Sequence, residues 1–535
     1  MGHGTEQAIH RRGGADWRLP LRTARTLTFP NHTLGRRGLT RCWPFLLGVI
    51  ALASGCASTS AFNQDFVEVR TPNFHITSSL GDGPTRDLVR DLEVFHAGVL
   101  FALGLDKEDR SAPATRVLAF DGRGAIRPFA VRGAAAYLVP ATDAPLLVVR
   151  TTGGFRTRVD SELRHRYAHR VLRDRSLARP PVWYEEGRSQ IARTVRVYPL
   201  GAEVGRIDAD FRARLLDWRR SDWQEVLAVR DLSAELTPAR ERFVVRAWAL
   251  MHTLLFDRSY RGNTAVLDSV RRAFEAGDAG SLADRVADFG SNDELKARVY
   301  AHLERDEHRV GRMRVEGIPS ADLVLSRLRP EIARDRLGGL ALALGRPQVA
   351  REYFERALEV APDDPSALAG LALATARASE SEETEALIKR AGSVAKGDAD
   401  ALARLGHAFV ALAERSESSD VRGDRFDSAR QMFDASLTVD ENHISALLGM
   451  GKSFLSSGGW EGTAEDSERA RKSFERVKRL RPGALEVDLL LARAADQSRR
   501  PRTALPYLGE VLSRSHSTEL RNRAKQLFDS IQSAP

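Results

Sequence analysis

The sequence predicts an α+β domain over residues 66–305, followed by an all-α repeat array over residues 331–518. Two observations lead to this fold class. Short apolar runs with strand-like alternation precede amphipathic helices in the first part, and a spacing of about 34 residues returns through the second. Residues 306–330 are expected to be a linker, and residues 519–535 a capping helix and tail. We expect a protein that ends near residue 315 to fold without the array.

The first 55 residues have the features of a targeting leader. A basic flank at Arg41 precedes the apolar run Phe45–Ala53, which ends in small residues before Cys56. Such a pattern describes a secretory signal peptide, and the apolar run is too short to span a bilayer comfortably. The ending Gly55-Cys56 resembles a bacterial lipoprotein signal with Cys56 as the lipidated residue, followed by a linker over 56–65. The alternative, a buried apolar helix with an incidental cysteine, stays open.

Charge and cysteine content limit the kinds of partner and site. The formal net charge is +9, but eight arginines against two acidic residues give residues 1–55 a charge of +6. The rest of the chain therefore carries about +3, which does not argue for a nucleic-acid partner. Cys42 and Cys56 are the two cysteines, so the sequence predicts neither a disulfide framework nor a thiolate metal site.

The front domain begins with strands around one helix. Apolar side chains at helical spacing predict a helix over residues 84–104. Alternating or continuous apolar runs predict the strands, and the last two of them form a hairpin. The strands are expected at residues 66–69, 71–77, 117–120, 135–139 and 146–149.

The segment 159–175 is predicted to be a helix that carries His165 and His169. Histidines four positions apart lie on one face of a helix, close enough for both imidazoles to hold one metal ion. A proline pair then ends the helix, and the next helix brings up Glu186, 17 positions beyond His169. Two histidines and a carboxylate form a three-ligand zinc site with an open fourth position.

The ordered set of His165, His169, Trp183, Glu186 and Gly187 resembles a gluzincin zinc peptidase. More specifically, it is similar to the peptidase-MA-like domain of bacterial envelope proteins, which often has tetratricopeptide repeats behind it. The resemblance implies a zincin-like fold with zinc bound by the two histidines and Glu186. It also implies a strand that lines the substrate cleft and an all-helical part, here residues 206–305, that closes the cleft from below.

Arg166 stands where the family motif H-E-x-x-H has the glutamate that activates the zinc-bound water. A guanidinium stays protonated and cannot take a proton, and its charge weakens binding of a nearby cation. Three alternatives stay open. One is a site without metal in which Arg166 pairs with Glu186 or Glu185. Another is a metal site without ordinary proteolysis, and the third is an active hydrolase whose base is displaced to Glu185 or Glu162.

The period after residue 330 has the length of a tetratricopeptide helix pair. Four weaker copies follow the best one, and a helix over 518–531 is suited to cap the stack. The best copy matches the small and aromatic contact positions of that motif with Leu337, Gly338, Ala350, Phe354, Ala357 and Pro362.

These observations favour a lipid-anchored pseudopeptidase of the bacterial cell envelope, with the outer membrane favoured. Its degenerate zinc-peptidase cleft and its array would bind protein or peptide partners. The competing class is an active zinc hydrolase of proteins or peptidoglycan cross-links. A third class is a scaffold whose front domain only holds the array at the membrane. Zinc is the one cofactor that the sequence indicates, and a site without metal is equally consistent with it.

Overall fold

The structure is a computed structural model that describes residue 61 and residues 64–533, apart from short segments between them. Those segments are 106–112, 132–133, 135, 140–144, 152–160, 176–179, 219–222, 230–237, 258–262, 277–289, 316–322, 380, 458–462 and 516. The predicted signal segment and Cys56 lie outside the described residues. From Ser58 onward the chain forms one compact unit.

The described residues form two β-sheets. Their strands are β1 (Val67–Arg70), β2 (Phe74–Ser78), β3 (Thr115–Asp121), β4 (Ala136–Val139), β5 (Leu146–Thr151), β6 (Arg196–Tyr198), β7 (Gly201–Val204), β8 (Gly311–Arg314) and β9 (Ser326–Arg327). The larger sheet has the order β4-β5-β3-β2-β1-β9. Strands β2, β3 and β5 are parallel, whereas β4, β1 and β9 are antiparallel to their neighbours. Strands β6, β7 and β8 form a small antiparallel sheet.

Helices surround the sheets in the front part of the chain. The described ones are α1 (Asp82–Leu103), α2 (Gly122–Ile126), α3 (Ser161–Arg175), α4 (Val182–Arg193), α5 (Ala209–Asp217), α6 (Trp223–Ala228), α7 (Pro238–Phe256), α8 (Asn263–Glu275) and α9 (Asn292–Leu303). The predicted strands, helix α1 and the histidine helix therefore all form, with ends shifted by a few residues.

The central strand β3 is buried on both sides of the larger sheet. Successive side chains of a strand point to opposite faces, so Val117 and Ala119 enter one core and Leu118 and Phe120 the other. The first core contains residues of α1, α3 and α4. A strand covered on both faces needs a continuous apolar run, which residues 117–120 supply.

From Pro330 onward the described residues form five helix pairs and a final helix. The pairs are α10 (Pro330–Ala343) with α11 (Pro347–Leu358), α12 (Pro365–Ala378) with α13 (Glu382–Val394), α14 (Ala399–Arg415) with α15 (Ser419–Val439), α16 (Ile444–Ser457) with α17 (Ala464–Leu480), and α18 (Leu485–Gln497) with α19 (Pro501–Arg514). The final helix is α20 (Thr518–Ser533). Side-chain caps begin several helices; the Asp364 carboxylate, for example, accepts from the Ala367 N–H of α12.

A contact between phenylalanine and glycine repeats along this array. The ring of Phe354 packs against Gly338 and Gly370, where a Cβ would come within 2.6 Å of a ring carbon. Phe433 and Phe474 pack in the same way on glycines of later helix pairs. Small residues at these positions let neighbouring helices approach around a buried ring, which explains the spacing seen in the sequence.

The first helix pair of the array covers the second face of the larger sheet. The ring of Phe129 lies 5.3 Å from the ring of Tyr353 on α11, and Arg336 of α10 donates to Glu68 Oε1 at 2.6 Å. Apolar residues of β3 and β5 share one core with α10 and α11. The two parts thus have a core in common, whereas we expected the front part to fold without the array. The difference arises because an α+β sheet with two apolar faces needs cover on both.

The segment 306–330 also differs from the linker expected there. It contains β8, which pairs with β7 in the small sheet, and β9, which pairs with β1 at the edge of the larger one. Strands of four and two residues are too short to show an alternating pattern. These two strands therefore belong to the sheets of the front domain and are not part of a free linker.

Candidate metal site

Helices α3 and α4 bring His165, His169 and Glu186 together. The two histidines lie one turn apart on α3, and Glu186 lies near the start of α4, which begins directly after Pro181. The fixed backbone angle of proline separates the two helices and sets the direction of the second. The three residues are 5%, 4% and 1% exposed, so this polar group is buried within the front domain.

The distances between their polar atoms are those of a shared centre. His165 Nε2 lies 3.0 Å from His169 Nε2 and 3.1 Å from Glu186 Oε1. His169 Nε2 lies 3.3 Å from Glu186 Oε2. One donor atom from each residue lies within 4.8 Å of the other two, and among the described residues no other group of three or more histidine, cysteine or acidic residues meets this condition.

This donor set fits a zinc ion. Zinc binds imidazole nitrogen and carboxylate oxygen at about 2.0–2.2 Å in a tetrahedron, which places neighbouring donor atoms about 3.3 Å apart. When each histidine is measured to a different oxygen of Glu186, the three separations are 3.0 to 3.3 Å, close to that value. His165, His169 and Glu186 would therefore be the residues that hold the metal, as the resemblance implied.

Gln190 belongs to the same cluster, although sequence reasoning did not select it. Its Nε2 donates to Glu186 Oε1 at 2.8 Å and lies 3.0 Å from His165 Nε2. Gln190 follows Glu186 by four positions on α4, so both face the histidines. This four-residue spacing on one helix is the sequence feature from which Gln190 could have been predicted. The amide fixes the carboxylate in its orientation toward α3.

Burial and neighbouring charges act differently on the two imidazoles. Burial lowers the pKa of His165 below its usual value, even though the adjacent Glu186 carboxylate acts in the opposite direction. For His169 burial also lowers the pKa, but hydrogen bonds to Glu185 and Glu186 outweigh it and raise the pKa overall. The site therefore combines a neutral imidazole with one that favours a positive charge beside two carboxylates.

Glu185 lies behind His169, on the side away from the centre. Its Oε1 accepts from His169 Nδ1 at 2.8 Å and from Arg173 Nε at 2.7 Å, and its Oε2 accepts from Arg514. Burial raises the pKa of this carboxyl, but the charges of Arg173 and Arg514 hold it well below the usual range. The sequence allowed Glu185 as a displaced base. In the structure it fixes His169 with Nδ1 protonated and Nε2 directed at the centre, as carboxylates behind metal-binding histidines do.

Arg166 points away from these carboxylates. Its Nε donates to Glu162 Oε1 at 2.7 Å, and both side chains are 59% exposed. For a site without metal, we expected Arg166 to pair with Glu186 or Glu185. That prediction is wrong. Arg166 follows His165 by one position, which turns its side chain by about 100° around the axis of α3, and so it faces solvent. Partial burial raises the pKa of Glu162, but the hydrogen bond from Arg166 and the charge of His165 lower it overall.

Gly187 permits close packing of α4 against α7. A Cβ at this position would lie 2.7 Å from the carbonyl oxygen of Ala247 and 2.9 Å from Cβ of Met251, both on α7. The glycine therefore brings α4 against α7 rather than against the histidines. This contact fixes the position of α4, which carries Glu186 immediately before the glycine.

The predicted lipid anchor lies outside the part of the chain that the structure describes. The proposed lipidation site, Cys56, is not among the described residues and so has no structural account. Within the described ranges, no helix combines the length and the apolar character needed to cross a membrane.

Comparison with known proteins identifies the repeat. Residues 331–376, which span α10 to α12, match the tetratricopeptide repeat family. The predicted repeat is confirmed over these residues, and the match supports a protein-binding scaffold. No curated protein matches the chain.

Solved structures of tetratricopeptide proteins resemble the chain over about a third of its length. TTC0263, a thermophilic tetratricopeptide protein of Thermus thermophilus, is 23% identical, covers 37% of this chain and 98% of its own, and has a TM-score of 0.30. YrrB, a tetratricopeptide protein with an unusual peptide-binding site, is 16% identical over 37% and 92% of the two chains, with a TM-score of 0.26. MamA is 14% identical over 37% and 92%, with a TM-score of 0.24. Similarity at these TM-scores carries no inference about function.

Proposed function

We propose that this protein is a zinc-binding pseudopeptidase that serves as a protein-binding scaffold in the bacterial envelope. Its front domain holds zinc through His165, His169 and Glu186, and among the described residues neither Glu185 nor Glu162 is placed to act as the general base for peptide hydrolysis. The observation that carries this proposal is the convergence of three buried donor atoms within 4.8 Å beside an arginine in the place of the base.

The surrounding residues support metal binding. Arg173 and Arg514 balance the charge of Glu185, but the Glu186 carboxylate buried against two imidazoles is costly unless a proton or a cation balances it. A zinc ion would take the place of the proton that His169 favours, while Glu185 accepts from its Nδ1. When bound, zinc supplies a Lewis acid that can polarise a carbonyl or carboxylate of a ligand.

The same surroundings argue against hydrolysis. A general base must reach the water that it activates, and its pKa should lie near the working pH. Glu185 contacts the far nitrogen of His169, and two arginines keep it ionised and weakly basic. Glu162 is bound to Arg166 on the exposed side of α3, and its pKa is likewise lowered. Neither carboxylate has the position and basicity of the missing glutamate.

The array and the segment before Cys56 support the proposed partners and location. The tetratricopeptide array supports binding of protein or peptide partners, since stacked helix pairs offer long concave surfaces. The apolar run before Cys56 supports a lipid anchor in the envelope, with the outer membrane favoured. These features would place a ligand-binding front domain and a partner-binding array on one anchored chain.

The test is to measure metal content and peptidase activity on the same preparation. Protein from residue 58 to 535, loaded with zinc and desalted, should retain about one zinc per chain and should not cleave casein or a peptide library. His165→Gln should lose the metal. The matched control is His407→Gln, which alters a half-buried histidine of the array and should keep the zinc.

Two results would overturn the proposal. Parent protein that retains no zinc after loading would show that the site is vestigial. Parent protein that cleaves casein, and loses this activity in Glu186→Gln but not in Glu203→Gln, would show an active hydrolase; Glu203 is a buried glutamate of the small sheet and serves as the control.

A further inference from the structure

The last helix pair of the array contacts Glu185, the residue that lies behind His169. Arg514, the final residue of α19, donates through Nη1 to Glu185 Oε2 and through Nη2 to the carbonyl oxygen of Pro180 at 2.9 Å. The backbone carbonyl oxygen of Arg514 accepts a hydrogen bond from the side chain of Arg173 on α3. The side chain of Arg514 is 10% exposed, so it is buried between the array and the front domain.

These bonds connect Arg514 to a zinc-ligand candidate through one intervening residue. Arg514 binds one oxygen of Glu185, and the other oxygen accepts from His169 Nδ1 at 2.8 Å. Arg173 holds that second oxygen as well, at 2.7 Å. A carboxylate fixed at both oxygens has little freedom to rotate, so His169 keeps one tautomer and one ring orientation.

An independent contact joins the array to the same helix. Arg481, at the end of α17 and fully buried, donates to Asp174 Oδ2 at 3.3 Å, and Arg170 donates to the same oxygen at 2.7 Å. Gly483 lies so close to α3 that a Cβ there would come within 2.6 Å of the Arg173 Cβ. The array is therefore packed along the C-terminal half of the histidine helix and does not depend on one ion pair.

We propose that the C-terminal end of the array is a structural component of the His165-His169-Glu186 site, with Arg514 as a positioning residue that acts through Glu185. This inference rests on the function proposed above, because it assumes that zinc occupies the site. The new element is that the affinity for zinc depends on contacts from the array. By linkage, zinc binding and any partner that moves α19 affect each other.

The test is zinc affinity, measured in the full chain from residue 58 by competition with a chromophoric chelator. Replacing a residue behind a metal ligand typically weakens affinity about 10- to 100-fold, so Glu185→Gln and Arg514→Met should each weaken zinc binding by about tenfold. Arg514→Lys should restore most of it. The double variant should bind about as weakly as Glu185→Gln alone, because the two residues act in series.

The matched control is Arg404→Met. Arg404 is another arginine of the array, with its side chain 22% exposed and paired with Asp335 at 3.1 Å, and its ion pair lies within the array. It should lower the stability of the array and leave zinc affinity unchanged. Equal zinc affinity in parent and Arg514→Met would overturn the proposal, as would an equal loss in Arg404→Met.

A second measurement separates this proposal from the proposed function. Hydrogen exchange of α3 and α4 should be faster in Arg514→Met than in Arg404→Met, even with no zinc added. If the parent binds no zinc, the proposed function fails but faster exchange still supports the contact between array and site. Equal exchange in the two variants would then overturn the role of Arg514.

Discussion

The ring of Phe129, beside the larger sheet, lies 5.3 Å from the ring of Tyr353 in the first helix pair of the array. This contact lies within a core that contains residues of both parts of the chain. A protein ending at residue 315 would leave the second face of the sheet uncovered and would lack strand β9. We expect that fragment to aggregate, whereas the chain from 58 to 535 should be soluble and unfold cooperatively.

Gel filtration and circular dichroism of the two proteins check this expectation. A point variant gives a finer measure: Phe129→Ala should lower the free energy of unfolding by about 3–5 kcal/mol. Leu200→Ala removes a side chain that is 62% exposed and should change it by no more than about 0.5 kcal/mol. A monomeric fragment 58–315 with a sharp thermal transition would contradict the shared core.

Gly187→Ala should destabilise the protein because the added methyl group would lie 2.7 Å from the Ala247 carbonyl oxygen. Overpacking of this kind costs about 1–3 kcal/mol, measured by urea denaturation. Gly392→Ala is the matched control, since Gly392 is also helical and has no atom within 4 Å of the added group. It should stabilise α13 by about 0.5–1 kcal/mol through helix propensity. Equal effects of the two substitutions would show that α4 does not pack closely on α7.

Stability should fall as the pH is lowered from about 6.5 to 4, and His252 should be one cause. Its Nδ1 lies 2.9 Å from His302 Nε2, and its Nε2 lies 2.9 Å from the Gly205 carbonyl oxygen. Burial and the charge of His302 lower the pKa of His252 to about 3, and burial with the charge of His308 lowers the pKa of His302 to about 4. Each imidazole has a pKa near 6.5 when the chain is unfolded.

The direction of this pH dependence follows from the number of protons bound by the folded and unfolded chain. Below about pH 6.5 the unfolded chain binds protons that the folded protein excludes, so stability is complete above that pH and is lost as the pH falls. Each such histidine contributes a slope of about 1.4 kcal/mol per pH unit. His252→Gln should therefore flatten the curve of unfolding free energy against pH between 6 and 4. Leu254→Val, a nearby buried change without a titrating group, should keep the parent slope, and the same slope in His252→Gln would refute this account.

Arg166→Glu should bind zinc more tightly than the parent by about tenfold, because it replaces a positive by a negative charge on the helix that carries both histidines. The screened, exposed position of the side chain keeps the gain modest. Arg166→Gln should give an intermediate affinity in the same chelator competition. Affinity that is unchanged or weaker in both variants would show that Arg166 does not influence the site.

The histidine helix and Glu186 could be predicted from the sequence because their signal is local. His165 and His169 are one helical turn apart, and the proline pair before α4 fixes the return toward them. The repeat could be predicted because Phe354 and Gly338 recur at equivalent positions in later copies. Each of these inferences depends on residues that are separated by no more than about one repeat length in the sequence.

The contacts that join the two parts have no such signal. Arg514 and Glu185 are separated by 329 positions, and an arginine at a helix end is common in this sequence. Strands β6 and β9 contain three and two residues, too few for any alternation. The position of Gly187 against α7 rather than the histidines likewise depends on how distant helices pack, which periodicity does not determine.

The attachment of both ends of the array to the front domain has a consequence for how the chain unfolds. Stacked repeats usually fray from their termini, because a terminal repeat has a neighbour on one side only. Here the first helix pair is held by the contact of Tyr353 with the front domain, and the last pair by the bond from Arg514 to Glu185 of α4. Unfolding of the array should therefore begin in the middle helix pairs and not at either terminus. Refolding should be slow, because the final bond closes a loop of more than three hundred residues.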